Sequence, residues 1–167
     1  MRSMDIILAF PQIVLAIAVA ALLGPSLVNI IWIVGLLIVP QFARVTRGSV
    51  IAVMNLEYIT AARTIGQSEG LILLRHALPN VLGPLIVLAS LTVPSAIVTE
   101  AALSFLGAGI QLPEASWGNL LSGGNAYLLQ GPWLTIFPGL AITLAVLAFN
   151  LLGDGLRDTI AGSGARA

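Results

Sequence analysis

Residues 6–43 run for 38 positions without one ionisable side chain. No soluble fold exposes such a stretch, and a bilayer core of about 30 Å takes only about 20 helical residues. The run is therefore too long for one membrane helix and suits two with a turn. "GPS" at 24–26 supplies that turn. Composition agrees: 58% of the 167 residues are hydrophobic, 8% are charged, and mean hydropathy is +1.04, far from soluble usage.

Four spans are expected, over residues 6–23, 27–43, 80–99 and 133–152, giving an all-α membrane protein. Pro11, Gln12, Pro40, Gly83, Pro84 and Pro94 fall inside them. Membrane helices tolerate such residues because neighbouring groups satisfy the freed carbonyls. Reading the N-terminus as a signal peptide, with Arg2 as its charged region and "AVAA" as its cleavage site, fits less well. The apolar run is long for that role and a second span follows at once. The absence of Cys excludes disulfides and thiolate metal sites.

All seven basic residues are Arg: Arg2, Arg44, Arg47, Arg63, Arg75, Arg157 and Arg166. With four antiparallel spans they fall on one side, which the positive-inside rule makes cytoplasmic. Both termini, the 44–79 loop and the 153–167 tail are expected there, with the 100–132 loop outside. Trp117, Tyr127 and Trp133 suit an aromatic belt at the outer interface. The apolar segment "ALSFLGAGIQLP" (102–113) is too short to span and is expected to be interfacial, re-entrant or packed on helix ends. Glu100 either marks a substrate path or sits in water at headgroup level.

One polar island interrupts the apolar chain, "EYITAARTIGQSEGLILLRHALP" at 57–79. Residues 56–65 suit a helix ended by Gly66. Ser68 suits the N-cap of a second helix, with Glu69 in its first turn, running to about Ala77 before Leu78-Pro79 stops it. Ala61, Ala62 and Ile65 form a small-residue face. From these residues alone, docking on a partner and lying on the membrane surface are equal readings.

"TAARTIG" (60–66) with "RHALPN" (75–80) resembles the EAA loop of binding-protein-dependent ABC importer permeases: Glu-Ala-Ala, three residues, Gly, nine residues, Ile, one residue, Leu-Pro. Ala61, Ala62, Gly66, Leu78 and Pro79 match in register; Thr60 replaces the Glu and His76 the Ile. "MDIILAFP" (4–11), "EAALSFLGAGIQLPEASWGNLL" (100–121) and "FPGLAITLAVLAFNLLGDGLRD" (137–158) are similar to the dipeptide/oligopeptide class, so the resemblance covers nearly the whole chain.

The resemblance implies a MetI-like type I permease domain in a bacterial-type inner membrane, working by alternating access. Its expected partners are cytoplasmic ABC ATPases, a second homologous permease subunit and an external solute-binding protein touching the 101–132 loop. Tyr58, Thr60, Ala61, Ala62, Arg63, Gly66, His76, Leu78 and Pro79 would form the ATPase-coupling loop. Arg63 would face the ATPase or stay solvated, and His76 would pack or hydrogen-bond rather than ligate. No cofactor, metal or nucleic acid is expected. Dipeptides or oligopeptides are the expected cargo, with nickel or another small solute as the alternative. The family's permeases carry further N-terminal helices, so the chain is expected to begin near an internal span, as a subunit or as a truncated or accessory fragment.

Enzyme readings fail on the residues. Without Lys there is no P-loop. The Gly-x-Ser of "GPS" lies across the membrane from His76, the only histidine, so no serine-protease dyad forms. "LLGDG" around Asp154 lacks both the first glycine and the second Asp of a membrane aspartyl protease.

Overall fold

The computed structural model describes residues 2–164. Arg166, part of the charge argument above, lies outside the described residues. Eight α-helices follow in order: α1 (Arg2–Leu8), α2 (Gln12–Leu23), α3 (Leu27–Met54), α4 (Glu57–Thr64), α5 (Glu69–Ile72), α6 (Leu78–Phe105), α7 (Trp117–Asn125) and α8 (Trp133–Gly164). A π-helical turn, Leu73–Ala77, joins α5 to α6.

Among the described residues, three helical stretches are long and apolar enough to cross a membrane: Leu27–Met54, Glu69–Phe105 and Trp133–Ile160. The first expected span departs from this pattern. It is split into α1 and α2, because Pro11 has no N–H to donate and stands as the extended N-cap of α2 (φ −57°, ψ 125°). The 12 residues of α2 cover only about 18 Å.

The other spans are longer than their apolar runs. α3 does not stop at residue 43 but continues through Arg44 and Arg47 to Met54, so the first part of the expected 44–79 loop is helix. Nothing in that stretch breaks a helix, and charge alone does not end one. Likewise α6 extends to Phe105, which puts Glu100 inside the helix instead of beyond it. α8 continues through Asp154 and Arg157. At 1.5 Å per residue α3 is about 42 Å long, against a hydrocarbon core of about 30 Å, so its polar end extends beyond the hydrocarbon.

Leu78-Pro79 does not stop the second island helix either. The ring of Pro79 displaces the Arg75 carbonyl from its ordinary bond. The helix widens into the π turn just before it, with the Leu78 N–H reaching back to the Leu73 carbonyl, and runs on into α6.

α6 is the hub, touching α3, α7 and α8. Its antiparallel crossing with α8 is made at glycines, as membrane helices require for close approach. Gly83 lies against Ile160, and Gly153 against Leu91 and Ser90. A second contact comes from Ala16 and Ala20 of α2, which pack with Ile33, Leu37 and Leu103. Arg44 of α3 donates to Asp5 of α1 at 2.9 Å. These contacts bring Arg2, Arg44, Arg47, the island with Arg63 and Arg75, and Arg157 to one end of the bundle.

Gly153 and Gly155 separate packing from propensity, since a Cβ at 153 would come within 2.8 Å of Leu91 while one at 155 meets open space. Gly153→Leu is expected to lower the unfolding free energy in detergent by about 1–3 kcal/mol through overpacking. Gly155→Leu is expected to be neutral or stabilising, as read by thermal unfolding of the two variants.

Candidate functional site

The island is a small folded unit. Ile59 and Ala62 of α4 lie one turn apart and meet Val53, Ile72 and Ala77, with Met54 alongside. Ile59 and Ile72 are fully buried. This core turns Ala62 inward at 7% exposure, so the expected Ala61-Ala62-Ile65 face is corrected. Ala61 stays outside and Ile65 is 76% exposed, while Ala62 belongs to the interior. The physical reason is the neighbouring Ile59, whose burial fixes the rotation of the helix.

α4 ends in a Schellman turn at Gly66, which has φ +83°. The Gln67 N–H donates to the Ala62 carbonyl at 3.1 Å and the Gly66 N–H to that of Arg63 at 3.0 Å. Ser68 caps α5 by accepting from the Leu71 N–H. Across this turn Arg63 makes a two-point bond to Glu69, Nε to Oε1 at 2.7 Å and a terminal nitrogen to Oε2 at 3.2 Å. The hydrogen bond it donates to Glu69 raises the guanidinium's already high pKa. Both groups are exposed, so the pair orients the turn without adding much stability.

His76 is hydrogen-bonded: its Nε2 stands 3.1 Å from Gln67 Oε1. Its ring tilts 59° to that of Tyr58, with centroids 6.0 Å apart. Asn80 donates to the His76 carbonyl at 2.7 Å and reaches the Tyr58 hydroxyl at 3.4 Å. The structure thus ties α4 to the start of α6 through Tyr58, His76 and Asn80. Thr60 points outward, its neighbour Thr64 donating to its carbonyl at 2.9 Å. Leu78 and Pro79 are exposed on the first turn of α6. Gln67, Glu69 and Asn80 were not singled out from sequence as partners. The one available signal was an Arg and a Glu flanking a helix-ending glycine.

At the opposite end, "ALSFLGAGIQLP" is packed on a helix end. α6 closes in a second Schellman turn at Gly107 (φ +80°), with the Ala108 N–H bonded to the Leu103 carbonyl at 2.9 Å. The chain then folds back so that Ile110 is buried. A cap of residues 106–125 results, finished by α7, whose N-cap Ser116 accepts from the Asn119 N–H at 3.1 Å. Glu100 is half-buried beneath it and accepts from the Ser104 hydroxyl at 2.7 Å. The cap borders an open cleft of about 530 Å³ reached by Gln111, Asn119, Ser122 and Tyr127.

Apolar helices of membrane length, joined by a self-packed polar island at one end and a packed cap at the other, define a polytopic helical membrane protein. Residues 1–162 match the model of the binding-protein-dependent transport system inner membrane component, and the chain belongs to that family of transport permease components. It is 47% identical over 159 residues to the dipeptide transport system permease protein DppC of Alkalihalophilus pseudofirmus, covering 95% of this chain and 52% of that relative. It is 44% identical over 160 residues to the di/tripeptide transport system permease protein DppC of Pseudomonas aeruginosa, covering 96% and 53%. The glutathione transport system permease protein GsiD of Escherichia coli O1:K1 / APEC is 45% identical over 160 residues, again covering 96% and 53%. The chain therefore spans about half the length of the curated relatives it matches.

Gly66 carries the local test. A β-branched residue forced to positive φ costs about 1–2 kcal/mol, whereas Asn tolerates it. Gly66→Val is expected to accelerate hydrogen exchange at the Gly66 and Gln67 amides strongly and Gly66→Asn only slightly, with the spans unaffected in both.

Proposed function

We propose that this chain is a permease component of an ATP-driven importer for dipeptides or short oligopeptides, and that the island is its docking point for a cytoplasmic ABC ATPase. The observation that carries this reading is the island's construction. It has its own buried core, so it holds its shape outside the membrane. It presents exposed Tyr58, Ala61 and Ile65, and it continues without a break into α6. A helix lying passively on lipid has no need of such a core.

The basic end of the bundle is cytoplasmic in this reading, by the positive-inside rule, and both termini are on that side. The outer cap then faces an external solute-binding protein, and a second permease subunit completes the translocation path. ATP-driven closure of the ATPases moves the islands together, and the rigid helices carry that movement across the bilayer. Peptides are favoured as cargo because the relatives named above are dipeptide, di/tripeptide and glutathione permeases. This component supplies the path and the coupling, and hydrolysis takes place on the partner.

The contrast between outward and inward residues of α4 provides the test. With the ATPases co-expressed, Ile65→Asp is expected to weaken their co-purification about tenfold or more, the range of a lost interface anchor, and to abolish uptake of a labelled dipeptide. Its thermal stability should match the parent's. Ala62→Trp, which overfills the island core, is expected to lower stability as well. Undiminished ATPase capture by Ile65→Asp would sink the docking assignment.

A further inference from the structure

We propose that Glu100 and Ser104 form a latch that fastens the outer cap to α6, making the cap the far end of a lever that begins at the island. Three observations meet here. First, helix Glu69–Phe105 is continuous for 37 residues, about 55 Å at 1.5 Å per residue. The island and the outer end of α6 are therefore parts of one rod. Second, a relay of hydrogen bonds crosses from that rod to the cap. The Ser104 hydroxyl donates to Glu100 Oε1 at 2.7 Å and accepts from the Ile110 N–H at 3.0 Å. Ser104 is 2% exposed and Ile110 8%, so an unmade bond there has no water to replace it.

Third, the cap approaches α6 more closely than side chains allow. A methyl at Gly109 would collide with the Ser104 backbone, and one at Gly118 with the Ala101 carbonyl. Two cap backbones lie directly on the last turns of the rod, with Ser104 between them. Glu100 fixes the serine rotamer: with its Oε1 accepting the hydroxyl's hydrogen bond, the lone pairs of the oxygen turn to the Ile110 amide. Glu100 is thus a positioning residue that acts through Ser104, and its task is to keep the cap moving with α6.

The chain contains no Cys, so spin labels can be placed at will. Labels at Ile86→Cys on α6 and Glu114→Cys on the cap, with the full chain in nanodiscs, report the cap's position by pulsed dipolar distance measurement. The parent is expected to give one narrow distance. Glu100→Gln, whose amide oxygen still accepts from the hydroxyl, should keep it; Glu100→Ala and Ser104→Ala should lose it to a broad distribution. A narrow distance in every variant, or equal broadening by Gln and Ala, would overturn the latch. If Ser104→Ala does not fold, the Gln and Ala variants at position 100 still decide.

The lever's function rests on the permease reading and is tested separately in the reconstituted transporter. Glu100→Ala is expected to cut dipeptide uptake at least about tenfold, a barrier change of the size of one lost buried hydrogen bond, while ATP hydrolysis persists and Glu100→Gln restores uptake. Full uptake by Glu100→Ala with a loosened cap would leave the latch standing and overturn the lever. Failure of the parent itself to transport would count against the permease reading and leave the distance result intact.

Discussion

The hydrocarbon interior offers no hydrogen-bond partners, so backbone N–H and C=O groups within it must be satisfied by the protein, for most of them by the helix that carries them. Most of this structure follows from that demand. Several hydroxyls within the spans turn back on their own helices, as when Thr92 donates to the Ala89 carbonyl at 2.8 Å and Thr143 to that of Gly139 at 2.8 Å. Where the chain must leave a helix, it does so with the orphan carbonyls already bonded. Gly66 and Gly107, one at each end of the rod formed by α5, the π turn and α6, make the same Schellman closure. Pro79 is absorbed by widening the helix ahead of it, which keeps the rod whole where a break would have uncoupled its two ends.

The same demand explains which features were legible in the sequence. Charge-free runs reveal where the bilayer is, and they located the apolar parts of α3, α6 and α8. They do not reveal where a helix ends, because charged residues such as Arg44 and Arg47 do not by themselves stop a helix that continues into water. Each of these helices therefore outlasts its apolar run. Pro11 was visible, but whether a proline bends a helix or starts a new one depends on what satisfies the carbonyls before it. Here α1 ends at Leu8 and α2 begins afresh at Gln12.

In the island, the local signals were reliable and the long-range one was not. Gly66 and Ser68 act through bonds within a few residues, and sequence identified both. The inward turn of Ala62 is set by Ile59 meeting Ile72 and Ala77 from the far side of the loop, a contact with no local signature. Small size at 61 and 62 thus has two causes, an open surface at one position and a tight core at the other. Glu100 shows the same limit at the other end of α6. An acid near a membrane suggests a path for substrate, but its bond to Ser104 and the Ile110 amide beyond it depend on the chain folding back at Gly107.

Apolar surface behaves differently again. Leu140, Leu144, Leu147 and Leu151 of α8 are all exposed, and in water such a stripe would demand a partner. In lipid it demands nothing, because acyl chains are as apolar as leucine and exchanging one for the other gains little. The information about helix neighbours therefore resides in small residues, where backbones approach, and not in the large apolar ones that dominate the composition. Gly83 and Gly153 mark the α6–α8 crossing, and Gly109 and Gly118 mark the seat of the cap. All four contacts are made on α6, the helix that continues into the island. A movement imposed on the island therefore reaches the cap through backbone contact at Gly109 and Gly118, and α8 through the side chains of Ile160, Leu91 and Ser90 packed against glycine.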